Sequence, residues 1–162
     1  MSVGRTVGSD DQLARLLQIG IVLEEVVEAR AYHHYTNLDE ELDDEIETLL
    51  EEAAEESAAH RERLEGLIED LDVETVAFEE IEALVKEQYA RTKPDDFDGV
   101  LYDQLCNEET AYKFYDDLIA AIEASDAAFT VDRAELLCVL EAIREEEREG
   151  AEEVTEIMER RA

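Results

Sequence analysis

Helix breakers are scarce in this sequence. Proline occurs once, as Pro94, and glycine only six times in 162 residues. Strand-like alternation of polar and apolar residues is nowhere sustained, which excludes the turn-rich sandwiches and barrels. Cysteine is limited to Cys106 and Cys138, with no Cys-x-x-Cys spacing. That excludes a disulfide framework and a zinc knuckle. Both cysteines fall in apolar helical contexts, where small buried hydrophobes suited to a reducing cytoplasm are expected. No apolar run approaches the ~18–20 residues that a membrane span requires. The opening segment MSVGRTVGSD has no apolar stretch of the signal-peptide kind, so residues 1–9 are expected to be a flexible N-terminus and the protein cytoplasmic. GxSxG, P-loop, GxGxxG and HExxH patterns are all missing, which leaves hydrolase, NTPase and dinucleotide readings without a foothold.

Positive charge is the scarcest commodity. Fourteen basic residues, of which only Lys86, Lys93 and Lys113 are lysines, stand against 47 acidic ones, for a net charge of −33. A surface of this sign does not bind nucleic acid. The acids are dispersed over every segment instead of blocked into one tail. Dispersed acid with little lysine is the composition of halophilic proteins working in molar salt, where repulsion is screened to within ~3 Å. Hydrophobic residues still make up 45% of the chain, enough for a packed core and too many for a disordered acidic segment.

What is present is helical periodicity. Apolar residues recur at i, i+3/4 and i+7 through most of the chain. The pattern predicts a first helix over 10–37, capped by Ser9 or Asp10, and a second over 39–71. A short helix over 76–91 follows in a crossover that ends in TKPDDFDG. A third long helix covers 97–124, and a fourth runs to about 160 after cap signals at Thr130 and Asp132. Four long helices with one crossover describe an all-α four-helix bundle, read here as one domain over residues 10–162.

The chain also repeats itself. EARAYHHYTNL at 28–38 and EETAYKFYDDL at 108–118 share Glu, Ala, two Tyr and Leu at a constant offset of 80. The segments 45–71 and 135–161 align at an offset of 90, pairing Ile46 with Leu136, Leu50 with Leu140 and Leu64 with Val154. The bundle is therefore a duplicated two-helix hairpin. Biased acidic composition could produce the Glu matches but not the paired tyrosines.

Helical geometry gives each odd residue a direction. At about 100° per residue, Glu28 falls within about 20° of Leu17, Ile21 and Tyr35. Glu108 falls within about 20° of Phe97, Leu101, Tyr115 and Ile119, and His60 within about 40° of Leu49, Ala53, Leu64 and Leu67. All three are expected to face the bundle axis. An isolated buried carboxylate costs several kcal/mol, and two on different helices repel, so a shared cation is the simplest remedy.

A Glu followed seven residues later by Tyr on helices one and three, with His-bearing acidic segments elsewhere, resembles the ferritin-like superfamily. The rubrerythrin-type carboxylate-bridged di-iron bundles are the branch it is most similar to, over residues 10–160. The resemblance implies one Glu from each of helices one and three, here Glu28 and Glu108, and a Glu-x-x-His from each of helices two and four. The sequence departs from this in complementary ways. Helix two offers Ser57-Ala58-Ala59-His60, with serine in place of the bridging Glu. Helix four offers Glu147-Arg148-Glu149-Gly150, with glycine in place of the histidine. Glu28, His60, Glu108 and Glu147 remain, against about six ligands for a di-iron site. Glu56, one turn before His60, adds a fifth candidate, and Glu146 occupies the corresponding place on helix four. Tyr32, Tyr35, Tyr112 and Tyr115 are expected as hydrogen-bond donors to the carboxylates.

The resemblance implies iron, with manganese as the alternative, and redox chemistry on peroxide or oxygen, or iron handling. Full rubrerythrins carry a Cys-x-x-Cys module for electron delivery; this chain does not, so an external electron donor is expected. The other reading is a non-enzymatic bundle with one metal or none, serving as an oligomeric scaffold or a stress-associated binding protein. Both imply self-association, as a homodimer.

Overall fold

The structure, a computed structural model, describes residues 7–37, 44–71, 73, 83 and 97–161. Four helices form it: α1 (Asp10–Asn37), α2 (Asp44–Glu69), α3 (Phe97–Glu123) and α4 (Arg133–Arg161), with no strand among the described residues. Of the expected helix at 76–91 all but residue 83, and of the N-terminal segment residues 1–6, lie outside the described residues. Within the remainder of that segment Val7 is fully buried, and its carbonyl accepts a 2.5 Å hydrogen bond from Ser125 Oγ.

The helix starts obey local chemistry. Ser9 Oγ accepts the Gln12 N–H at 3.2 Å while the Gln12 side chain accepts the Gly8 N–H at 2.7 Å, close to a reciprocal capping box, so the cap is Ser9. Asp132 caps α4 by accepting the Glu135 N–H at 3.2 Å. Arg133 donates to the carbonyls of Ile122 and Ala127 at 2.7 and 2.6 Å, satisfying acceptors at and beyond the end of α3.

Side-chain contacts fix the topology. Gly20 meets Leu64 as Glu24 meets His60, so α1 and α2 run antiparallel. Pairs such as Asp116–Arg144 and Glu108–Gly150 make α3 and α4 antiparallel. Tyr115–Glu24 with Arg30–Asp103 does the same for α1 and α3, and His60–Glu147 with Glu45–Arg160 for α2 and α4. The diagonal pair α2 and α3 is consequently parallel. Packing is closest within each hairpin, and between the hairpins it is sparser for α2 against α4 than for α1 against α3.

The apolar core comes in two blocks. One gathers Leu13, Leu17, Ile21, Leu64, Phe114, Leu118, Ile122, Leu136, Leu140 and Ile143. The other gathers Ala31, Ile46, Leu49, Leu50, Val100, Leu101, Val154 and Ile157. Each fully buried Leu, Ile, Val or Phe contributes roughly 1.5–3 kcal/mol. A buried polar layer of Glu24, His60, Gln104, Glu108 and Glu147 lies at intermediate positions along all four helices. Cys106 and Cys138 are both exposed, contrary to the expectation that they are core residues. Their small size leaves the helix surface to decide, and both lie on its wet side.

A candidate metal centre between the hairpins

Glu24 is the residue that helical periodicity buries and that carries the centre. It lies seven residues after Leu17 and seven before Ala31, within about 20° of both on the helix, and all three are fully buried. From α2, His60 is fully buried and turns its two ring nitrogens to different partners. Nδ1 lies 3.1 Å from Glu147 Oε1 and 3.3 Å from Glu24 Oε1, while Nε2 contacts Glu146 at the rim. From α3, Tyr115 donates its hydroxyl to Glu24 Oε1 at 2.6 Å, and Gln104 donates Nε2–H to Glu108 Oε1 at 2.8 Å.

Two sets of ligand atoms converge to within 4.8 Å of one another: Glu24–His60–Glu147, and Glu56–Glu108–Glu147. Of the five residues proposed as ligands from the sequence, Glu56, His60, Glu108 and Glu147 are thus brought together, in sets that share Glu147. Glu28 is not. Its carboxylate accepts from Arg61 Nη1 at 2.5 Å, and the same guanidinium contacts Glu25. Arg61, the residue after His60, holds Glu28 at the α1–α2 edge, and Glu24, one turn earlier, occupies the interior.

Gly150 also has a physical reason. A Cβ built there would lie 2.7 Å from Glu108 Oε2 and 2.9 Å from Glu108 Cδ. The carboxylate of Glu108 rests against α4 where the repeat places an imidazole on α2. Gly20, a turn before Glu24, likewise admits close neighbours: a Cβ there would come within 3.1 Å of Leu64 and 3.5 Å of the Tyr115 hydroxyl. Ser57, at the bridging position, is buried. Tyr112 lines a surface cleft of about 650 Å³ with Lys113 and Arg148, and the side chains of Tyr32 and Tyr35 lie outside the described residues. Of Tyr112 and Tyr115, the two whose side chains are described, Tyr115 bonds a carboxylate of the centre.

Electrostatics make the layer a reservoir of protons. Burial, with the Glu24 and Glu108 carboxylates beside it, pushes Glu147 far above the ordinary carboxylate range. Burial also raises Glu108, against the hydrogen bonds from Glu147 and Gln104. Glu56 is raised to about 7, by burial first, then by Glu108, Glu146 and Glu24, with His60 opposing. Burial disfavours the charged imidazole of His60, yet its contacts with Glu24 and Glu146 raise it above its ordinary value. Tyr115 is held well above its usual range by burial and by Glu24.

Three buried oxygens in this layer, Glu24 Oε2, Gln104 Oε1 and Glu108 Oε2, have no hydrogen-bond partner. Glu24 Oε2 and Gln104 Oε1 offer lone pairs that a donor or a cation would satisfy. The two convergent sets include Glu24 and Glu108 and could hold a metal ion, with donor atoms that are carboxylate oxygens and one imidazole nitrogen. Repeat and motif spacing do not single out Glu24, Gln104 or the seat of Glu108 on Gly150. The Leu17–Glu24–Ala31 spacing was the available signal for the first.

Searches of protein-family models, of curated proteins and of solved structures found nothing that matches this chain.

Proposed function

We propose that this protein is a ferritin-like, metal-binding four-helix bundle that holds one divalent transition ion between Glu24, His60 and Glu147. The observation carrying this reading is the fully buried Glu24 carboxylate, its Oε2 unpartnered and its Oε1 3.3 Å from the buried His60 Nδ1, in a convergent set with Glu147. Carboxylates with a single imidazole suit iron(II) or manganese(II), and zinc less well. Bound there, such an ion would supply one-electron redox chemistry toward peroxide or oxygen, or serve iron handling. Glu24 and Glu147 would neutralise its charge, Tyr115 would steady Glu24, and the two apolar blocks would keep bulk water from the layer. No Cys-x-x-Cys is present, so electrons come from an external donor in this proposal. The proposal includes a homodimer, the commonest closed assembly.

A second reading has its own observation. Protons on Glu147 and His60 can balance the layer without any ion, so a metal-free scaffold would also be a consistent bundle. The test is anaerobic loading with Fe²⁺ in molar KCl, followed by peroxide and an artificial electron donor. Donor-dependent peroxide consumption by the wild type, lost in His60→Ala, is expected. Equal consumption by both proteins would reject the redox reading in favour of the scaffold.

A further inference from the structure

His60 is bracketed by two consecutive residues of α4. Glu147 faces Nδ1 at 3.1 Å, together with Glu24 at 3.3 Å, and Glu146 faces Nε2. The two nitrogens differ in surroundings. The groups at Nδ1 are buried, whereas the Glu146 side chain is 35% exposed. Glu146 is gripped from outside by the fork of Arg63, with Nη1 to Oε2 and Nη2 to Oε1 each at 3.4 Å. Its carboxylate spans the sparsely packed α2–α4 seam, from a surface guanidinium to a buried ring.

A neutral imidazole has one N–H and one lone pair, and whatever fixes the first aims the second. We propose that Glu146, steadied by Arg63, is a positioning residue: it accepts the Nε2–H of His60 and so presents the Nδ1 lone pair to an ion shared with Glu24 and Glu147. This rests on the metal reading above and adds which nitrogen binds and what orients it. The repeat supplies an internal contrast. Glu56 is the counterpart of Glu146, but the counterpart of His60 is Gly150. With no ring to orient, Glu56 converges on Glu108 and Glu147 instead.

The test uses the full chain in molar KCl with Co²⁺ as probe for affinity and Zn²⁺ for NMR. Wild type is compared with Glu146→Ala, with Glu146→Gln, which keeps a carbonyl acceptor, and with Glu149→Ala as an exposed control. Loss of an outer partner of a ligating histidine costs about 10–100-fold in metal affinity. Glu146→Ala is expected to weaken Co²⁺ binding by that factor, while Glu146→Gln and Glu149→Ala stay within about threefold of wild type, well below that range. Nitrogen-15 spectra of Zn²⁺-loaded wild type are expected to show a protonated Nε2 and a metal-bound Nδ1, with the ring N–H exchanging faster in Glu146→Ala. Thermal melting of the metal-free variants checks folding, and the nitrogen-15 spectrum of the Zn²⁺-loaded wild type carries the test if the alanine variant unfolds. Wild-type affinity in Glu146→Ala, or a metal-bound Nε2, would overturn the positioning role alone. Absence of Co²⁺ binding by the wild type would overturn the metal reading with it.

Discussion

At the scale of single residues, the two helical glycines nearest the His60 repeat position separate packing from propensity. Gly66, an exposed position within α2, has nothing within 4 Å of where a Cβ would stand. Gly66→Ala is therefore expected to stabilise the protein by about 0.5–1 kcal/mol, read from urea unfolding. Gly150→Ala gains the same helix propensity but drives a methyl into the Glu108 carboxylate at 2.7 Å. Its stability gain is expected to vanish, because Glu108 loses its seat. A gain equal to that of Gly66→Ala would show that the seat costs nothing to disturb. Much of the centre was legible at this scale. His60, Glu108 and Glu147 lie on inner stripes, and the helical wheel finds them. The wheel could not choose between Glu24 and Glu28, about 40° apart, because the choice is made by Arg61 on another helix. Propensity and periodicity are local, and this contact spans 33 residues.

Among elements, the polar layer sets how stability depends on pH. Glu56 is raised from an ordinary 4.5 to about 7, chiefly by burial, and His60 is raised by Glu24 and Glu146 despite burial. Between those pH values the folded chain keeps protons that the unfolded chain has released, so unfolding becomes easier as pH rises. In metal-free protein at constant KCl, the urea midpoint is expected to fall between about pH 5 and about pH 8. Glu56→Gln, which has no proton to lose, is expected to flatten that slope, and an unchanged slope would remove Glu56 as its source. The helix boundaries were nearly all legible in the sequence because caps are local: Ser9, Asp132 and their partners sit within four residues of one another. The duplicated hairpin was legible by a different signal, the matches at constant offsets of 80 and 90 residues. What the repeat could not reveal is its inequality, in which one hairpin presents His60 and Glu24 while the other presents Gly150 and Gln104.

Across the whole molecule, charge dominates. A net charge of −33 on 162 residues is an unfavourable self-energy, and added salt shortens its range from about 10 Å at 0.1 M to about 3 Å at 1 M. Melting temperature is expected to rise steeply between about 0.1 M and about 2 M KCl, measured by circular dichroism. Equal values at both concentrations would show that the dispersed acids carry no such penalty. No described helix is long and apolar enough to cross a membrane. Composition also explains why the centre was hard to isolate in the sequence. With 47 acids, a Glu near any given position carries little information, and only burial singles out the few that matter.

The account turns on one ion held by Glu24, His60 and Glu147, with Glu28 committed to Arg61. Equilibrium dialysis against Mn²⁺ in molar KCl, on wild type, Glu24→Gln and Glu28→Gln, tests it most directly. One ion per chain is expected in the wild type and in Glu28→Gln, and none in Glu24→Gln. Binding that survives in Glu24→Gln and disappears in Glu28→Gln would contradict it.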